Sequence, residues 1–516
     1  MAEYYLAIDL GAESGRTMVG AFDGDRLSLE EVHRFPNGPV GVPLGRAGAD
    51  RPAEALYWDV LALWREIKSG IRAAHRVRGV PASIGVDAWG VDYALLGSDG
   101  ALLGLPYNHR DGRTTGMPEL AFERVPRAEI FERTGIQFMA INTLYQLLAS
   151  TVHHSPALAA AETFLTIPDL FAYWLCGQAV CEFTNATTTQ AYDPRAGGWA
   201  TDLLERLGIR SDILPRVVPP GTTLGGLLQG VAAEMELPAA IPVVAVASHD
   251  TGSAVAAVPV VPGTLQAAET FAYVSSGTWS LVGGEVPQPV ITSEALAYNF
   301  TNEGGVGGFR LLKNVMGLWL VQECRRTWRE RGGDLGYDEL TRLAEAARPF
   351  AALVDPDHAA FLPPGDMPRR LAAYCARTGQ APLDVADKGQ VLRCVFESLA
   401  LKYRWVIERL ERLTARRVGT IHVIGGGSQN GLLNQLTADA CRRVVVAGPV
   451  EATAAGNVVV QAMAAGRIAT LDEGRELIRR SFPLATYEPR ADASWEEAYG
   501  RFQGIMSAGA DGPTPP

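Results

Sequence analysis

The sequence predicts an α/β fold in which one plan is built twice, and three observations lead there. An apolar β-rich run, a Gly/Ser-rich turn and a second β-rich run open the chain between Tyr4 and Phe22. The same arrangement returns between Ala272 and Val282. After each pair, segments of helical and strand periodicity alternate. With 516 residues the chain is too long for one ordinary core. Two domains are therefore expected, residues 1–258 and 259–507, with the boundary near Pro259–Gly263. Residues 508–516 are small and Pro-rich and are expected to form a flexible tail.

Tyr4–Ile8 and Thr17–Phe22 read as strands, and Asp23-Gly24-Asp25 is a turn signal before a third, so the chain opens as an antiparallel meander. Leu56, Val60, Leu63, Trp64, Ile67 and Ile71 fall at helical spacing, which predicts a helix over Leu56–Arg72. Ile84–Asp87 and Tyr93–Leu96 read as strands, and helical patterns dominate from Ala128 to Leu175. Val244–Ala247 is an apolar run leading into Ser248-His249-Asp250-Thr251, after which small residues resume a helical pattern. In the second half, strands at Ala272–Ser275 and Ser280–Val282 flank a Gly turn. An amphipathic helix is predicted over Gln390–Leu413. Ile421–Ile424 then reads as a strand, Gly425-Gly426-Gly427 as a turn and Leu432–Cys441 as a helix.

Hydrophobic residues make up 47% of the chain and charged residues 20%, a globular rather than a disordered composition. The net charge of -11 disfavours a nucleic-acid partner, which needs a basic surface. Six cysteines lie scattered without CxxC or metal-ligand spacing and read as reduced, buried thiols. The first residues lack a basic segment followed by a long apolar one, so no signal peptide is expected. Ala239–Val261 contains Pro242, His249, Asp250 and Pro259 and reads as buried strand plus helix, not as a membrane span. A cytoplasmic protein with no membrane partner is expected.

The chemistry-bearing residues cluster at the turns. In Asp9-Leu10-Gly11-Ala12-Glu13-Ser14-Gly15-Arg16, glycines let backbone N–H groups approach a phosphate. Ser14 adds a hydroxyl, Arg16 a charge, and Asp9 a carboxylate placed to hold Mg²⁺ through water. The competing reading is a plain β-hairpin. Ser275-Ser276-Gly277-Thr278-Trp279-Ser280 offers amides and hydroxyls at the matching place in the second half. Asp250 is the candidate general base for a hydroxyl attacking the γ-phosphate of ATP. It is equally a good helix N-cap, and the two roles are compatible. Gly425-Gly426-Gly427-Ser428-Gln429-Asn430 misses the dinucleotide fingerprint, and no P-loop motif occurs. Ser248 beside His249 makes no hydrolase triad, because G-x-S-x-G is absent. His109 and His422 read as core or surface histidines rather than ligands.

The duplicated plan resembles the two-domain fold shared by actin, the 70-kDa heat-shock chaperones and sugar kinases (ribonuclease H-like), with an interdomain active-site cleft. Ala7–Arg16, Ile84–Tyr93, Asn108–Thr114, Ala247–Thr251, Phe300–Gly305, Leu312–Trp319 and Gly425–Asn430 together resemble the FGGY family of carbohydrate kinases. The likeness runs from Tyr4 to Tyr487 and is greatest to the branch acting on L-rhamnulose. It implies ATP-dependent phosphorylation of that sugar at its C1 hydroxyl in L-rhamnose catabolism, with Asp250 as base. It further implies sugar contacts from Gly90, His249, Asp250, Thr251 and Asn314. ATP contacts are implied for Ala12, Ser14, Gly15 and Arg16 and for Thr278, Gln322 and Gly426. Glu13 stands where better-known members of the branch tend to carry Ser, and no phosphate contact is assigned to it. The alternatives are a kinase for L-fuculose or D-xylulose, or a non-catalytic nucleotide-gated sugar sensor or clamp. A monomer or homodimer is expected.

Overall fold

The computed structural model describes residues 2–45, 54–264 and 269–510. Residues 511–516 of the expected tail lie outside the described residues, and 508–510 belong to the final helix, Ser494–Ala510. The chain divides into two compact units. The first comprises Met1–Pro262, Glu285–Leu311 and Ala452–Ser481; the second comprises Gly263–Gly284, Leu312–Glu451 and Phe482–Pro516.

In the first unit, six strands form one sheet: β1 (Glu3–Leu10), β2 (Ser14–Phe22), β3 (Leu27–Pro36), β4 (Ser83–Ala88), β5 (Thr222–Gly226) and β6 (Pro242–Ala245). Their order is β5-β6-β4-β1-β2-β3. β1 is antiparallel to β2 and β2 to β3, which is the expected meander. β4 runs parallel to both β1 and β6, and β5 closes the edge antiparallel to β6. β1 is buried on both faces from Tyr5 onward, as its unbroken apolar run requires of a central strand.

A second sheet, most of whose residues belong to the second unit, repeats the scheme with β7 (Glu269–Ser276), β8 (Trp279–Val286), β9 (Gly308–Met316), β10 (Arg417–Ile424), β11 (Val444–Ala447) and β12 (Ala485–Tyr487). These neighbour one another in the order β12-β11-β10-β7-β8-β9. β7 is antiparallel to β8 and parallel to β10, β10 is parallel to β11, and β12 is antiparallel to β11. From β12 to β9 the order follows that of the first sheet, and from β12 to β8 the directions do too. The second sheet, however, carries a seventh strand, Thr301–Gly305, beyond β9, and its edge strand β12 follows β11 in the chain whereas β5 precedes β6.

Two stretches depart from expectation. Residues Glu54–Trp58 form a strand paired with Pro39–Pro43, and helix α1 runs later than predicted, Val60–Arg78. Asp59 sets the start, since its Oδ1 accepts from the Ala62 amide at 2.9 Å, an N-cap worth about 1 kcal/mol. The helical span 128–175 is interrupted by a strand, Thr163–Thr166, antiparallel to Tyr93–Leu96. The long helix of the second unit runs Lys388–Thr414, with Asp387 as its cap, close to prediction.

Helix α2 (Asp250–Ala256) follows β6, and helix α3 (Ala452–Ala464) packs beside it in the first unit. The small residues of α3 permit a very close approach. A Cβ on Gly456 would stand 1.8 Å from the Ser253 carbonyl oxygen. All six cysteines are free and buried. Among the described residues no helix is long and apolar enough to cross a membrane.

Candidate functional site

Three carboxylates gather at one edge of the first sheet. Asp9 and Asp87 are Cα partners in the parallel register of β1 and β4. β6 lies on the other side of β4, and its chain continues to His249, which bridges to Ala88, and then to Asp250. The C-terminal ends of parallel strands are where α/β sheets place their ligands. Sequence reading singled out Asp9 and Asp250 but gave Asp87 no role. Its signal was an acid at the end of an apolar strand, which acquires meaning only once that strand is known to lie between the other two.

Each carboxylate is held differently. Asp9 Oδ2 accepts from Arg16 Nε at 3.1 Å and Nη2 at 2.8 Å, and the two residues face each other across the β1–β2 register. Asp87 is fully buried; its Oδ2 accepts from Asn457 Nδ2 at 2.6 Å, and its Oδ1 has no partner. Burial pushes the Asp87 carboxyl well up, and the neighbouring Asp9 and Asp250 push it further, against the Asn457 bond. Burial likewise raises the Asp250 carboxyl; His249 opposes the rise and Asp9 adds to it. The Asp250 side chain nevertheless keeps 30% exposure, so it is accessible to a substrate. An unsatisfied carboxylate oxygen among converging acids fits a cation. Among the described residues no group of three or more His, Cys, Asp or Glu side chains has the geometry to ligate one directly.

The segment delivering Asp250 is clamped from below. Glu182 Oε2 accepts from the Ser248 amide and hydroxyl, both at 2.9 Å, and from Thr184 Oγ1 at 2.5 Å. Thr184 Oγ1 in turn accepts from the His249 amide at 3.1 Å. The capping position of α2 falls on His249, so Asp250 is the first helical residue rather than the cap. Its Oδ1 accepts from the Thr251 amide at 2.5 Å and from Thr251 Oγ1 at 3.1 Å.

Asp169 lies behind this clamp and accepts a 2.5 Å hydrogen bond from Thr166. Burial raises its carboxyl to about 7, against that bond. Between the unfolded value of 3.8 and about 7, folding therefore takes up a proton. The contribution of Asp169 to stability falls as pH rises through that window, by at most about 1.4 kcal/mol per pH unit. Urea unfolding across the window should give a flatter dependence of stability on pH in Asp169→Asn than in the wild type, and the difference between the two slopes is the part due to Asp169.

In the first turn, Ala12 and Glu13 form the exposed tip, and the Gly11 amide donates to the Ser14 carbonyl at 2.9 Å. Gly15 is required for packing, because a Cβ there would lie 2.3 Å from the Phe35 ring. Gly90 packs on Thr188, whose Oγ1 accepts from the Val91 amide at 3.2 Å. Val91 has φ 69°, a strained value for a β-branched residue. Beside it, fully buried Asp92 accepts from Trp58 Nε1 at 2.7 Å, Trp89 Nε1 at 2.9 Å and Gln146 Nε2 at 2.9 Å. His109 Nδ1 also lies 2.8 Å from Asp92, so this histidine is anchored by a carboxylate rather than isolated. Asp92 carried no expectation; its role appears only when residues 58, 89, 109 and 146 are brought together.

The remaining expected residues lie in the second unit. The Thr278 carbonyl accepts from the Gly317 amide at 3.2 Å and the Trp319 amide at 3.1 Å, tying the β7–β8 turn to the helix Trp319–Glu330. Gln322 sits in the first turn of that helix, and its Oε1 is buried without a partner. Asn314 lies on β9, partly buried. β10 ends beside β7, so its glycine turn adjoins the β7–β8 turn. Gly427 is tight against Ser276, whereas a Cβ on Gly426 would meet nothing within 4 Å. The turn thus presents open backbone at Gly426, and the orphaned amide oxygen of Gln322 awaits a donor.

Residues 4–257 match the model of the N-terminal domain of the FGGY family of carbohydrate kinases, and residues 272–465 match that of its C-terminal domain. A rhamnulokinase of Bacteroides thetaiotaomicron is 47% identical over 98% of this chain and 100% of its own length. A rhamnulokinase of Pectobacterium carotovorum is 42% identical over 97% of this chain and 96% of its own. The crystal structure of gluconate kinase from Lactobacillus acidophilus superposes with a TM-score of 0.80 at 17% identity, covering 99% of both chains. At that identity the likeness speaks for the fold, which is the two-domain sugar-kinase fold.

Proposed function

The chain belongs to the FGGY family of carbohydrate kinases, and from that premise we propose that it phosphorylates L-rhamnulose with ATP, in L-rhamnose catabolism in the cytoplasm. The C1 hydroxyl oxygen attacks the γ-phosphorus, the bond to the β-phosphate oxygen breaks, and L-rhamnulose 1-phosphate and ADP form. Asp250 takes the hydroxyl proton. The observation that carries this reading is the meeting of Asp9 and Asp87, near the ends of adjacent parallel strands, with Asp250, which opens the helix that follows the next parallel strand. Near-full-length identity of 47% to a rhamnulokinase supports the choice of sugar.

Gly90, His249, Thr251 and Asn314 contact the sugar in this reading. Ala12, Ser14, Gly15 and Arg16 contact ATP, as do Thr278, Gln322 and Gly426. Asp9 and Asp87 would hold Mg²⁺, which would supply charge neutralisation at the phosphate oxygens. Arg16, paired with Asp9, exchanges part of that pairing for a phosphate oxygen.

A coupled assay across L-rhamnulose, L-fuculose and D-xylulose tests the substrate. L-Rhamnulose is expected to show a kcat/KM at least about tenfold above the others, the scale of one mismatched pocket group. Preference for another ketose would reassign the sugar. ATP hydrolysis indifferent to every sugar would favour a sensor or clamp.

A further inference from the structure

Behind the candidate base lies a buried ionic pair that no role above uses. Arg310 is fully buried, and its Nε donates to the Gly304 carbonyl at 2.7 Å. Its Nη2 stands 3.1 Å from His249 Nδ1 and 3.1 Å from Glu303 Oε2. Glu303 Oε2 is itself 3.3 Å from His249 Nδ1, without an aligned hydrogen bond. On the far side of the ring, His249 Nε2 is 3.5 Å from Asp250 Oδ1.

A guanidinium only donates, so a neutral imidazole nitrogen bonded to it must accept. The aligned contact at Nδ1 is the one to Arg310, and the carboxylate of Glu303 offsets the buried charge. Arg310 Nη1 is buried without a partner, unlike an arginine whose donors are spent holding the fold together. We propose that the Arg310–Glu303 pair is a positioning device that fixes His249 as the Nε2–H tautomer, presenting that proton on the side where Asp250 and the sugar hydroxyls meet. As part of sugar recognition this rests on the kinase reading above; as a statement about His249 it does not.

The tautomer is measured on full-length protein labelled with ¹⁵N-histidine, in long-range ¹H–¹⁵N spectra without substrate, using His249→Gln to assign the signal. His249 is expected as Nε2–H in the wild type and in Glu303→Gln, where Arg310 remains. In Arg310→Met the acceptor Glu303 remains, so the proton should move to Nδ1. An Nδ1–H form in the wild type, or a switch in Glu303→Gln, would overturn the proposal even if Arg310→Met fails to fold. With the preferred ketose, Arg310→Met should raise the sugar KM about tenfold and leave the ATP KM unchanged. It should add no further rise in the His249→Gln background, whereas additive losses would mark a merely structural pair. Should L-rhamnulose not be turned over, the substrate reading fails while the tautomer result stands.

Discussion

Asp250→Asn is expected to lower kcat by about a hundredfold or more while ATP binding survives, the usual cost of losing a general base. The variant keeps the shape and the acceptor oxygen that meets the Thr251 amide. What it loses is the ability to take a proton as the sugar oxygen attacks. Burial and the nearby Asp9 both raise the Asp250 carboxyl, which makes it a better proton acceptor than a solvated aspartate, while His249 limits the rise and helps keep it ionised. Steady-state kinetics together with ATP titration separate the two quantities. Turnover within a few-fold of wild type would remove Asp250 from the chemistry.

Gly456→Ala is expected to destabilise the protein and slow it together. In an ordinary helix interior this substitution stabilises by up to about 1 kcal/mol, since alanine is the better helix former. Here the new methyl would lie 1.8 Å from the Ser253 carbonyl oxygen, a backbone atom that no rotamer change can move aside. Either α3 or α2 must shift, and overpacking of this kind costs about 1–3 kcal/mol. For a chain of 516 residues, at about 2.1 cal/mol/K of unfolding entropy per residue, that is a fall in Tm of roughly 1 °C per kcal/mol. Ser253 sits in the helix that begins with Asp250, so the displacement reaches the candidate base. Calorimetry and kinetics on the same preparation give both effects. A raised Tm would show that the helices are not in the close contact described.

Much of this molecule was legible residue by residue. The opening meander, the second hairpin at Ser276–Trp279 and the helix Lys388–Thr414 were all foreseeable, because apolar β-rich runs around Gly-containing turns and apolar residues at helical spacing are local patterns that can be counted. Asp9 and Asp250 stood out for a related reason: each is a charge at the end of an apolar run. The helix α1 was misplaced because Leu56 and Trp58 are apolar at spacings that suit either a strand or a helix, and only the Asp59 cap decides between them.

The tertiary structure alone decided what those acids meet. Asp9, Asp87 and Asp250 are distant in sequence, and their proximity follows from the strand order β6-β4-β1, a matter of long-range pairing. It likewise seated Asn457 on Asp87 and Arg310 on His249, contacts between chain segments whose local patterns contain no trace of one another. Periodicity and turn chemistry are properties of neighbouring residues and survive in the bare sequence. The energy of burying a carboxylate beside another depends on which surfaces the fold brings together, and so the electrostatics of the site could be seen only once the strands were placed.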